Sequence, residues 1–69
     1  MITITVNGDE KTLSTQVSLY DYVCDLKLDP TKVAIELNLE IVPKAQYQDV
    51  MLKDRDNLEI VHFIGGGSV

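Results

Sequence analysis

The chain has 69 residues, 45% of them hydrophobic, and its eleven acidic and six basic side chains leave a net charge of −5. That supplies one small core, so a single domain is expected, and an acidic surface has no counterion-release drive towards nucleic acid; a partner with a basic docking surface suits it better. The lone cysteine, Cys24, excludes an internal disulfide and a cysteine-rich metal site, and no apolar run approaches the length of a membrane span.

The start, MITITVNG, alternates: Ile2, Ile4 and Val6 fall on one face, Thr3 and Thr5 on the other, as in a half-buried strand. No basic stretch followed by an apolar one is present there, so no secretory signal is read and a cytoplasmic, reducing location is expected. Asn7-Gly8 is a strong hairpin signal because both residues tolerate positive φ. The return strand, KTLSTQV, is weaker, with Leu13 and Val17 as the inward residues.

SLYDYVCDLKL predicts a helix. Ser18 is the N-cap, Asp21 places a favourable charge in the first turn, and Leu19, Tyr22, Val23 and Leu26 share a face at helical spacing. Asp29-Pro30-Thr31 ends it. KVAIELNLEIVP predicts two short strands about Asn38-Leu39, with Val33, Ile35 and Leu37 alternating, then Ile41 and Val42 before Pro43. Asn38 accepts the left-handed region well and Leu39 poorly. KAQYQDV reads as a short helical turn, Lys53 to Asn57 as a loop, and a last strand runs from about Leu58 to Ile64. A helix after a hairpin must cover one face of the sheet, which makes a small α+β domain.

The candidate chemistry is sparse. A nucleophilic pair needs Cys24 and His62 in contact, but Cys24 falls opposite the Leu19/Leu26 face and His62 follows Leu58 and Ile60 along the last strand. Both are read as structural or surface residues. Asp54, Asp56 and Glu59 lack the spacing and central glycine of a calcium loop and are read as a solvated turn. The glycine run is not a phosphate loop, since neither Gly-Lys-Ser/Thr nor a helix follows it.

That leaves the end, FIGGGSV. Glycines give the thinnest and most flexible peptide, able to enter a narrow channel in another protein. A terminal glycine carboxylate is a poor acyl donor until it becomes an acyl-adenylate, from which a sulfur nucleophile can displace AMP and leave a thiocarboxylate. The plain readings of the same residues are a flexible terminus or a linker. The expected division is a domain over 1–64 and a flexible glycine-rich tail over 65–69.

Taken together, the Asn7-Gly8 hairpin, SLYDYV opening the helix, ELNLEIVPKAQY at Glu36 to Tyr47 and KDRDNLEIVHFIGGG at Lys53 to Gly67 resemble the ThiS family, the ubiquitin-like sulfur carriers of thiamine biosynthesis. The resemblance spans essentially the whole chain. It implies a β-grasp fold, a mixed sheet of four to five strands on one helix, with the first and last strands parallel at its centre. It implies that the chain is no enzyme but a protein co-substrate. Gly67, next to Gly66, would be adenylated by an E1-like ThiF enzyme using MgATP, with no cofactor bound by the chain itself. Sulfur from a cysteine desulfurase, carried as persulfide, would convert it to a thiocarboxylate, and the thiazole synthase ThiG would take that sulfur. Gly65 matches a position where a small residue is accepted. Val61 and Phe63, on the face away from the helix, are candidates for the docking patch; ordinary cross-strand packing is the alternative for them.

Three departures stand out. Leucine occupies Leu39 and arginine occupies Arg55 of Asp54-Arg55-Asp56, where the family often has glycine. Ser68 and Val69 follow Gly67, whose carboxyl is an amide while they remain, so removal of both is expected to precede the chemistry. Two other functions fit parts of the pattern: a MoaD-like carrier for molybdopterin synthesis, and a β-grasp interaction module without covalent chemistry.

Overall fold

The computed structural model describes residues 1–62. The strands are β1 (Ile2–Val6), β2 (Asp9–Leu13), β3 (Val33–Leu37), β4 (Glu40–Ile41) and β5 (Asn57–His62), and the helix α1 is Leu19–Asp25. They form a five-stranded sheet in the order β2-β1-β5-β3-β4. β1 and β5 run parallel in its centre, and the other neighbours are antiparallel. This mixed sheet with α1 on one face is the β-grasp arrangement expected from the resemblance.

The alternation read in the sequence sorts the two faces. Ile4 and Val6 of β1, Val33 and Ile35 of β3, and Leu58 and Ile60 of β5 are buried against Leu19, Tyr22 and Val23 of α1. Tyr47, after the 3₁₀ turn Lys44–Gln46, closes the core and donates its hydroxyl to the Val33 carbonyl at 3.2 Å. The other sheet face is left open.

Both hairpins turn through two residues with positive φ, Asn7 and Gly8 in the first (51° and 87°), Asn38 and Leu39 in the second (52° and 74°). Positive φ at both central positions is the type I′ signature, whose twist matches that of the strands. Leucine therefore stands in the strained geometry feared for it, and Arg55 does likewise at φ 72°.

Some boundaries differ from expectation. α1 starts as predicted, with Ser18 Oγ accepting from Asp21 N at 3.0 Å, but stops at Asp25. Lys27 takes φ 65° and the amides of Lys27 and Leu28 donate to the carbonyls of Cys24 and Val23. That is a Schellman end with lysine in the position glycine prefers. Leu26 is consequently the C-cap, 39% exposed, and leaves the buried face assigned to it. β2 begins directly at the turn and ends at Leu13, so Val17 lies outside the strand, half-buried, with its carbonyl accepting from Leu52 N at 2.9 Å. β5 begins at Asn57; the expected extension to Phe63 and Ile64 lies outside the described residues.

Candidate functional site

Gly65, Gly66 and Gly67, the residues on which the expected chemistry rests, and Phe63 of the expected docking patch, also lie outside the described residues, as does the tail assigned to 65–69. The structure instead shows what precedes them: β5, the central strand that leads to the glycines.

β5 is gripped on both edges. On one side β3 pairs with it from Val33↔His62 to Leu37↔Leu58. On the other, β1 supplies backbone bonds from Thr5 N to the Asp56 carbonyl and from Asn7 N to the Leu58 carbonyl, both 2.9 Å. Side chains then lengthen this short parallel ladder. Asp54 Oδ1 accepts from Thr3 N at 2.8 Å. At the far end the Asn7 amide behaves like a peptide unit: its Oδ1 accepts from Ile60 N at 2.8 Å and its Nδ2 donates to the Ile60 carbonyl at 3.1 Å. Asn7 thus has a second task besides tolerating positive φ.

The loop before β5 corrects the reading of Asp54, Asp56 and Glu59 as a solvated turn. Asp56 is 8% exposed. Its carboxylate accepts from Lys53 N at 2.8 Å and from Asn38 Nδ2 at 3.1 Å, while Asn38 Oδ1 accepts from Asn57 N at 2.9 Å. A carboxylate taking two bonds at a sharp loop organises it, and here it also ties the loop to the β3–β4 turn. Asp54 and Glu59 remain exposed, with Arg55 Nε 3.8 Å from Asp54 Oδ2.

Val61 is 58% exposed on the open face. It lines a cleft of about 110 Å³ with Ala34, Glu36, Ile41 and Glu59. Ile41, 77% exposed, reaches this face because it is paired with Glu36 across the β3–β4 hairpin. Glu36 in turn sits directly opposite Glu59 on β5. No sequence spacing links Glu36, Ile41 and Glu59; the strand register does.

Cys24 is exposed on α1, and His62 is exposed at the end of β5 opposite Val33. Among the described residues no group of His, Cys, Asp and Glu is arranged to hold a metal ion, and no helix is long and apolar enough to cross a membrane. What the described residues offer is an exposed sheet face with a small apolar cleft, on the strand that precedes the glycine run in the sequence.

Comparison with known proteins gives the same direction. The family model described as the ThiS family matches residues 3–67. A sulfur carrier protein ThiS from Bacillus subtilis is 41% identical over 90% of this chain and 96% of its own length. A thiazole synthase from Paramagnetospirillum magneticum is 48% identical over 94% of this chain, which spans 20% of that protein's length. The same share, 20%, holds for a thiazole synthase from Magnetococcus marinus at 38% identity. Among solved structures, a thiamine biosynthesis protein (ThiS) from Geobacter metallireducens superimposes with a TM-score of 0.81 at 29% identity, covering 96% of this chain and all of that one.

Proposed function

The chain belongs to the ThiS family, and on that footing we propose that it is a sulfur carrier of thiamine biosynthesis, handed between enzymes and not itself a catalyst. The observation that carries this reading is the extent of the family match, residues 3–67, which takes in the three glycines along with the domain.

The chemistry belongs to the carboxyl group of Gly67, in the form of the chain in which that residue comes last. A ThiF-type enzyme binds MgATP, joins the carboxylate to AMP and releases pyrophosphate. Sulfur carried as a persulfide from a cysteine desulfurase attacks the acyl carbon and expels AMP; thiol reduction of the resulting acyl disulfide leaves the thiocarboxylate. A thiazole synthase accepts the sulfur. The thiazole synthases similar to this chain over one fifth of their length support that last partner, and favour the thiamine branch over a MoaD-like role in molybdopterin synthesis. Gly66 and Gly65 serve as the slender approach to Gly67, and the open face around Val61 serves as the docking surface.

The test is intact-mass measurement of the chain ending at Gly67 after incubation with the activating enzyme, a desulfurase, cysteine and MgATP. The expected product carries sulfur in place of one carboxyl oxygen, and Gly67→Ala abolishes it while leaving the thermal midpoint unchanged. Absence of the product with partner enzymes shown to be active overturns the proposal.

A further inference from the structure

The open sheet face carries an arrangement that folding alone does not favour. Glu36 and Glu59 are directly opposed on neighbouring strands. Opposed side chains on one face stand about 5 Å apart at Cβ, and like charges so placed repel. No salt bridge to either carboxylate is formed among the described residues. Immediately beside the pair lies the cleft lined by Ala34, Ile41 and Val61. Its volume of about 110 Å³ is well below the roughly 300–1,000 Å³ of small-molecule sites. It has room for one aliphatic stem or side chain.

We propose that this cleft and carboxylate pair form a socket for an arginine of the activating enzyme, its guanidinium bridging Glu36 and Glu59 and its methylene stem lying along Val61 and Ile41. The proposal rests on the sulfur-carrier reading for the identity of the partner. A planar guanidinium has five donors, enough to serve two carboxylates at once, and is less strongly hydrated than an ammonium. Its methylene stem can lie along the aliphatic wall while the charged head reaches the carboxylates; the planar fork, not the stem, is what distinguishes it from a lysine. The repulsion between the carboxylates becomes useful on binding, because the cation relieves it. The net charge of −5 adds long-range steering to a basic surface. A carrier that has to leave one enzyme for the next is well served by a small, charge-steered contact of this kind, since apolar area alone would slow its release.

The test is a titration of the full chain into the activating enzyme without nucleotide, followed by fluorescence anisotropy over a series of salt concentrations. The Glu36→Gln/Glu59→Gln variant, isosteric at both positions, is expected to bind about tenfold or more weakly at low salt and to show a flatter salt dependence. Val61→Ser is expected to weaken binding by a factor that does not change with salt. The thermal midpoint of the double glutamine variant should equal or exceed that of the wild type; Glu36→Gln alone repeats the measurement with less perturbation. Binding within twofold of wild type with an unchanged salt slope overturns the socket, and so does failure of the wild-type chain to bind. If binding behaves as expected but no thiocarboxylate forms in the mass assay, the carrier reading falls and the socket stands.

Discussion

The two hairpins of this protein make an internal experiment on turn chemistry. Asn7-Gly8 and Asn38-Leu39 adopt the same positive-φ pair, yet the second uses leucine where the first uses glycine. A residue with a Cβ in the left-handed region is strained by about 1–2 kcal/mol, and glycine returns part of that, roughly 0.5–1 kcal/mol, through its larger freedom in the unfolded chain. Leu39 is 84% exposed, so its side chain brings almost no burial to set against the strain. Leu39→Gly should therefore stabilise the domain by about 0.5–1 kcal/mol, which for a chain of this size is a rise of about 3–6 °C in Tm. Leu39→Ala is the control, because alanine removes the exposed side chain but keeps the Cβ. Thermal unfolding followed by circular dichroism, with urea midpoints beside it, separates the two. If alanine stabilises as much as glycine, the cause is the exposed apolar side chain; if glycine gives no gain, the turn is not strained and the reasoning fails.

Three further outcomes follow from the bonds around β5 and in the turn before β3. Asp56→Ala removes an acceptor shared by Lys53 N and Asn38 Nδ2, and urea unfolding should show a loss of about 2–4 kcal/mol, whereas Asp56→Asn retains one acceptor and loses less. Asn7→Ala leaves the Ile60 amide and carbonyl without their side-chain partners and should destabilise by about 1–3 kcal/mol, with amide exchange at Ile60 accelerating more than exchange in β3. Asp29 caps the turn before β3, and its pKa is held below the ordinary carboxylate value first by the Thr31 hydroxyl bond and then by the Thr31 backbone bond. A depressed folded-state pKa stabilises above the unfolded value and ceases to do so as pH falls through the folded one. The Tm gap between wild type and Asp29→Ala should thus be full at neutral pH and close on acidification; a gap independent of pH would mean that the charge contributes nothing.

What the sequence revealed and what it hid divide along a physical line. The alternation of Ile2, Ile4 and Val6, the Asn7-Gly8 turn, and the Ser18 cap with Leu19, Tyr22 and Val23 behind it are local patterns, and each appears in the structure where it was read. The strain at Leu39 and Arg55 was legible too, because left-handed geometry is a property of single residues. Leu26 has the helical spacing of a buried residue but is the cap that ends α1, since periodicity says nothing of where the helix stops, and Lys27 gives no glycine-like warning. Asp56 was misread because its partners come from the loop itself and from Asn38, 18 positions away. Asn7 looked like a turn residue alone, for its second set of bonds spans 53 positions. The open-face cleft was half legible: Val61 follows from parity along β5, but Glu36, Ile41 and Glu59 meet only through the register of three strands. The parallel pairing of β1 with β5 came from family resemblance, not from pattern.

The geometry of β5 places a limit on any enzyme that uses this carrier. Val61 lies in the cleft, and Gly67 is six residues further along the chain. Six residues fully extended reach at most about 20–22 Å. An enzyme that holds the cleft while it activates the Gly67 carboxyl must therefore have its docking surface within about that distance of its nucleotide site. The domain contributes to this by fixing the near end of the span: β5 is bonded to β3 through His62 on one edge and to β1, with Asn7 acting as an extra rung, on the other. A slack β5 would leave the near end of that span less well placed, and lower the effective concentration of the carboxyl at the nucleotide site. Under the proposed function Asn7 and Asp56 never touch the chemistry but hold the strand from which the chain runs on to Gly67, so their substitution should raise the KM for the carrier in adenylation even at temperatures where the domain is still folded.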